Sequence, residues 1–128
     1  MNLNPQELAY IGDAIYEVYI RKYLLDKGIR KVNNLQKEAK KYVSAIGQSE
    51  FLKKLINENI FNEEEIDIIK RARNFKTISK PKHTDIITYK YATALEAIIG
   101  YLYLNENYEK INEIMKKILE EEENVCIW

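Results

Sequence analysis

Two acidic residues, Asp13 and Glu96, stand alone in apolar stretches of this sequence. Asp13 lies in residues 8–16, LAYIGDAIY, where every other residue is apolar, aromatic or glycine, and Glu96 is the only acid in residues 91–104, YATALEAIIGYLYL. Burial of a carboxylate without a partner disfavours its charged form. If the two segments pack together, the carboxylates meet in a mostly apolar core, and a divalent metal between them would let both stay ionised.

Small residues flank both acids. Gly12 and Ala14 adjoin Asp13, and a similar set surrounds Glu96, namely Ala92, Ala97 and Gly100. Helix backbones could therefore approach closely here and leave room for a hydrated ion. Taken singly, either acid could instead be a structural group bonded to a backbone amide or a tyrosine hydroxyl. The occurrence of both favours a metal-binding pair, and the candidates to support it are Glu17, Tyr16, Tyr89 and Thr93.

A basic segment, residues 70–90, precedes Glu96 directly. It carries eight basic residues, counting His83, against the single acid Asp85. Such a run is often only a solvated surface, but a positive patch beside a metal-binding acid is also what a phosphodiester substrate requires. The net charge of the chain is zero, so this patch implies a polarised molecule. The candidate phosphate-binding residues are Arg71, Arg73, Lys76, Lys80, Lys82 and His83.

Several other kinds of site are excluded by composition. The single His83 and single Cys126 rule out a histidine-rich or cysteine-based metal site and an internal disulfide. Phosphate-loop and dinucleotide-binding motifs are also absent from the sequence. No apolar run reaches transmembrane length and no leader pattern follows Met1, so we expect a cytoplasmic protein without a membrane partner.

Helical periodicity and capping signals extend over the whole chain and predict an all-α fold of five to seven helices in one domain, residues 1–128. Asn4 with Glu7 and Asn62 with Glu65 are capping boxes, and they predict helices running to about residues 26 and 73. A second helix should start at Asn33 or Asn34 and run to about 59, kinked or broken at Gly47. Residues 74–82 read as a loop. Further helices are expected from Thr84 or Asp85 to 104 and over 108–122.

These segments together resemble the ribonuclease III catalytic domain, and in particular its small bacterial branch, Mini-ribonuclease III. The first family signature, a Leu-Gly-Asp-Ala/Ser core, is seen as YIGDAIYE at residues 10–17, and the second as EAIIGY at 96–101. The small branch is also similar at RARN, PKHTD and YKY, which occupy residues 71–74, 81–85 and 89–91. The similarity covers essentially the whole chain in the right order.

The resemblance implies a helical homodimer that cleaves double-stranded RNA with Mg²⁺, or Mn²⁺ as a substitute, and leaves 5′-phosphate and 3′-hydroxyl ends. It assigns Asp13 and Glu96 as the catalytic, metal-binding acids. It further implies maturation of precursor ribosomal RNA of the large subunit, with a large-subunit ribosomal protein as a possible partner. Larger family members carry additional acids at the positions of Ala9 and Thr93, so fewer direct metal ligands are expected here. We also expect no double-stranded-RNA-binding domain after Trp128.

The function expected from the sequence is therefore hydrolysis of a phosphodiester by metal-activated water, with the basic residues gripping RNA phosphates largely without reading base sequence. Two alternatives stay open at this point. One is a catalytically silent double-stranded-RNA-binding protein on the same fold, which the absence of acids at positions 9 and 93 would support. The other is a helical protein-interaction module in which the buried acids are only structural.

Overall fold

The computed structural model describes residues 2–76 and 83–121. Its six helices are α1 (Pro5–Asp26), α2 (Val32–Val43), α3 (Ala45–Asn57), α4 (Glu63–Asn74), α5 (Ile86–Leu104) and α6 (Tyr108–Glu121). No strand occurs in these two described ranges, which confirms the all-α prediction. None of the described helices is both long enough and apolar enough to cross a membrane.

The predicted helix starts are confirmed at three positions. Asn4 caps α1 and Asn62 caps α4, each as a complete capping box in which the side chain accepts a backbone N–H and the glutamate three residues on returns a hydrogen bond. Asp85 caps α5 through the backbone N–H of Thr88. Gly28 follows α1 with a φ of 96°, the left-handed conformation that ends many helices.

The predicted kink or break at Gly47 was wrong by three residues. The chain breaks at Ser44, which is extended (ψ 153°) and whose hydroxyl accepts the Gly47 N–H at 3.1 Å to cap α3. Gly47 is nevertheless required there, because a Cβ on it would lie 2.2 Å from the backbone oxygen of Lys41. The start of α2 was also misplaced: Lys31 precedes it without a side-chain cap, and the Leu35 N–H closes the first turn on the Lys31 carbonyl.

Helix α5 is the centre of the molecule and packs against α1, α3, α4 and α6. Its apolar side chains on the inner faces, such as Leu95, Ile98 and Ile99, are completely buried. Each side chain of this size contributes roughly 1.5–3 kcal/mol when fully removed from water. Four side chains of α6 are buried as well, namely Ile111, Ile114, Met115 and Ile118. The fold therefore holds α5, and Glu96 with it, between the other helices.

Candidate functional site

The acids meet where α1 crosses α5, and two glycines allow the crossing. A Cβ on Gly12 would lie 1.7 Å from the backbone oxygen of Glu96, and a Cβ on Gly100 would lie 1.9 Å from the backbone oxygen of Leu8. Neither space can hold a side chain, so the two backbones are in direct contact. The prediction that small residues permit a close approach is confirmed at these two positions. Ala92 and Ala97 are buried beside them, whereas Ala14 faces outward.

The side chains of Asp13 and Glu96 approach each other across this contact, close enough for the Asp13 carboxyl to raise the pKa of Glu96. The sequence suggested that the two carboxylates lie inside the apolar core, but they lie at its edge. Asp13 is exposed and Glu96 is half-buried, because the described helices do not cover the outward face of α1. Both line one pocket, the acid pocket, whose other lining residues are Pro5, Gln6, Ala9, Tyr10, Ala72, Phe75, Tyr89, Lys90 and Thr93.

The environment of Glu96 disfavours its charge. Burial first, and then the neighbouring Asp13 carboxyl, raise the pKa of Glu96 to about 8, although a hydrogen bond from Gln48 opposes the change. At neutral pH without a cation, the uncharged form of Glu96 is therefore favoured. A divalent cation between the oxygens would remove the repulsion and release the Glu96 proton.

The donor set suits a hard cation that keeps several water ligands. Within the described residues, no group of three or more His, Cys, Asp or Glu side chains could hold a metal ion. Two carboxylates are enough for Mg²⁺, which is commonly bound through one or two acids with water and substrate phosphate completing its octahedron. Ala9 and Thr93 line the pocket at the two positions where acids would have supplied further metal ligands, and neither side chain is a carboxylate.

The four supporting candidates lie in three different settings. Tyr89 and Thr93 line the acid pocket. Glu17 instead pairs with Arg21 at 2.6 Å and lines a separate groove between α1 and α2, and its charge raises the pKa of Glu96 only as the last of several causes. Tyr16 is fully buried and its hydroxyl donates to the backbone oxygen of Tyr42 at 2.5 Å, so that hydroxyl is committed to the fold.

The basic candidates are spread more widely than their spacing suggested. Arg73 lies over the ring of Tyr91, 5.8 Å from its centroid, where Lys53 of α3 also approaches to 5.0 Å. Arg71 points elsewhere and lines a groove with Leu3 and Tyr101. Lys76 and His83 are exposed on either side of the gap in the described chain. Lys80 and Lys82 lie outside the described residues.

Two residues of the site were missed in the sequence. Lys90 lines the acid pocket and is the one basic side chain among the described residues that line it. Gln48 of α3 is buried and its Nε2 donates to Glu96 Oε2 at 3.2 Å. A signal for Gln48 exists, because it shares its helix face with the buried Leu52 and Leu55 and is thus a polar residue in core register.

Comparisons with known proteins converge on one family. Residues 6–107 match the model of the Ribonuclease III domain. The chain is 44% identical over 117 residues to Mini-ribonuclease 3 of Staphylococcus aureus, covering 91% of this chain and 87% of that protein. It is 46% identical over 114 residues to Mini-ribonuclease 3 of Brevibacillus brevis, covering 89% and 84%.

A solved structure shares the fold. A crystal structure of a protein from Fusobacterium nucleatum superimposes with a TM-score of 0.84 at 43% sequence identity, covering 94% of this chain and 95% of that one. The likeness therefore extends over nearly the whole length of both chains.

Proposed function

The chain belongs to the ribonuclease III family and is an endoribonuclease, and from this premise we propose that it cuts double-stranded RNA with Mg²⁺ held by Asp13 and Glu96. The observation that carries the proposal is the close pair of carboxylates that line one pocket at the crossing of α1 and α5. These acids come from distant parts of the chain. They are held together by the direct backbone contacts of α1 and α5 at Gly12 and Gly100. A merely structural pair would need no pocket beside it.

The role of the two acids follows from their surroundings. Asp13 is exposed and can meet a substrate, whereas Glu96 is held from behind by Gln48. When bound between them, Mg²⁺ (or Mn²⁺ in its place) lowers the pKa of water and stabilises negative charge on a phosphate. The uncharged Ala9 and Thr93 keep the pocket less negative than a full set of acids would, which eases the approach of a phosphodiester.

Basic residues near the acid pocket would bind the RNA backbone. Lys90 lines the pocket itself. Arg73 of α4 lies over the ring of Tyr91, which is the residue after Lys90 on α5. We assign phosphate contacts to these two and also to Arg71, Lys76, Lys80, Lys82 and His83. Such contacts carry little sequence information, since the major groove of A-form RNA is too narrow for side chains to read. Both products would be 5′-phosphate and 3′-hydroxyl ends.

An exposed apolar stripe on α1 supports a homodimer. Tyr10 is 85% exposed and Val18 is 62% exposed, with the exposed Ala14 between them at the helical spacing of one face. Soluble proteins usually cover such a stripe with a partner. Because Asp13 and Tyr10 lie on this helix at the acid pocket, a second copy packed here would set two active sites close together, one for each RNA strand.

The biological substrate belongs to the same proposal. From the resemblance to Mini-ribonuclease III we expect precursor ribosomal RNA of the large subunit, processed in the cytoplasm, with a large-subunit ribosomal protein as a partner. Membership of the ribonuclease III family argues against the alternative of a helical protein-interaction module. A catalytically silent RNA-binding protein would not need the paired acids.

The proposal is tested by incubating the protein with a long RNA duplex and with each separated strand, in Mg²⁺ and in EDTA. The expected result is that the duplex is cut in Mg²⁺ but not in EDTA, and that the separated strands are not cut. Equal cutting of single strands, or cutting in EDTA, would overturn it.

A further inference from the structure

Gln48 is a buried amide whose position in the fold is strongly determined. It lies in the first turn of α3, just after the Ser44 cap, and only 3% of its surface is exposed. The tight junction between α2 and α3 depends on Gly47, where a Cβ would lie 2.2 Å from the Lys41 carbonyl oxygen. Tyr42, at the end of α2, accepts the Tyr16 hydroxyl bond through its backbone oxygen. The junction that carries Gln48 is therefore fixed from two sides.

The amide is directed at a catalytic acid. Gln48 Nε2 donates to Glu96 Oε2 at 3.2 Å. Burial of an amide is unfavourable unless it is hydrogen-bonded, and an apolar residue of similar size would fill the same core position, as Leu52 and Leu55 do further along α3. Packing alone thus gives no reason for glutamine at position 48, whereas a donor for Glu96 does.

A glutamate side chain has three flexible torsions, so one hydrogen bond restricts it considerably. Gln48 holds one oxygen of Glu96 from the interior of the protein, and Asp13 lies on the pocket side. Ligands of metal ions are commonly oriented by such outer hydrogen bonds, and their loss typically costs 10- to 100-fold in metal affinity or activity. The effect should be large here because, among the described residues, only two carboxylates line the acid pocket.

We propose that Gln48 is a positioning residue that fixes the Glu96 carboxylate for binding of the divalent cation. This inference rests on the proposed function, since it assumes that Asp13 and Glu96 hold that cation. It extends the active site to α3, a helix that contributes no acid to the pocket.

The test uses three variants and two readouts. Gln48→Met keeps the length and removes the donor, whereas Gln48→Asn keeps an amide that is one methylene too short to reach Glu96. Ser49→Ala is the matched control, because Ser49 is equally buried on α3 at 2% exposure. The readouts are the rise of the unfolding temperature of RNA-free protein with Mg²⁺ concentration, and the Mg²⁺ concentration that gives half-maximal duplex cleavage.

Both Gln48 variants should need about 10- to 100-fold more Mg²⁺ in each readout, and Ser49→Ala should match the wild type. A purely structural role would lower the unfolding temperature without changing the Mg²⁺ requirement, and that result would overturn the inference. If wild-type protein neither responds to Mg²⁺ nor cuts duplex, the proposed function itself fails, so the two failures are distinguishable.

Discussion

The backbone of Gly12 lies directly against the carbonyl oxygen of Glu96, so closely that a Cβ at position 12 would be 1.7 Å from it. The residue after that glycine is Asp13 and the residue touched is Glu96, so the contact that joins α1 to α5 also joins the two acids. Stability and activity should depend on the same contact.

Gly12→Ala should destabilise the protein by about 3 kcal/mol or more, because the added methyl group meets backbone atoms that cannot move aside. Gly28→Ala is the comparison, since Gly28 has positive φ but no atom within 4 Å of an added Cβ. It should cost only about 1–2 kcal/mol of backbone strain. The measurement is urea unfolding of both variants. Equal losses would show that the crossing is less tight than described.

The stability of metal-free protein should fall as pH rises. Glu96 has a pKa of about 8 in the folded chain against an ordinary value of 4.5, so between these values the folded state retains a proton that the unfolded state has lost. Its contribution is complete below pH 4.5 and is lost as pH passes through 8, at up to about 1.4 kcal/mol per pH unit.

Unfolding in EDTA from pH 5 to 9 measures this effect as the difference between wild type and Glu96→Gln, which cannot titrate at this position. The stability of the wild type relative to the variant should decline across the window. Parallel pH profiles would contradict the assignment of the shifted pKa to Glu96.

Arg73 should contribute a phosphate contact and Lys117 should not. Arg73 lies beside Tyr91 near the acid pocket, whereas Lys117 of α6 pairs with Glu58 at 3.2 Å. Arg73→Ala should weaken duplex binding and reduce the slope of log affinity against log salt by about 1, measured in catalytically inactive Asp13→Asn protein. An unchanged slope, or an equal change in Lys117→Ala, would remove Arg73 from the RNA surface.

Val18→Asp should weaken the homodimer at least about a hundredfold, because an unpaired charge would be buried in the α1 stripe. Sedimentation at several protein concentrations should then give the mass of one chain. Tyr108→Asp is the control, as Tyr108 is 49% exposed at the start of α6. A wild-type protein that sediments as a monomer would contradict the proposed homodimer, and a Val18→Asp protein that stays dimeric would place its interface elsewhere.

Local signals in the sequence were sufficient for most of the fold. The capping boxes at Asn4 and Asn62 and the cap at Asp85 are contained within four consecutive residues each, so they could be read directly. The break before α3 was misplaced because Gly47 looked like the helix breaker. Glycine is needed at position 47 because the backbone there lies close to the Lys41 carbonyl oxygen, whereas the helix break itself is at Ser44.

The site was predicted only as far as residue type and pattern allow. Asp13 and Glu96 could be singled out as candidates because each is an isolated acid in an apolar run. The exposure of Asp13 could not be predicted from the sequence, because an apolar helix face has the same residue pattern whether another helix or a second chain covers it. Gln48 and Lys90 join the site through tertiary packing of α3 and α5, and one-dimensional spacing does not contain that information.

If Asp13 and Glu96 act as one metal-dependent unit, removing either acid should abolish most of the activity. The measurement is single-turnover cleavage of an RNA duplex by wild type, Asp13→Asn, Glu96→Gln and the double variant. Each single variant should lose about a thousandfold in rate, or about 4 kcal/mol, and the double variant little more. Full Mg²⁺-dependent cleavage by either single variant would contradict the account.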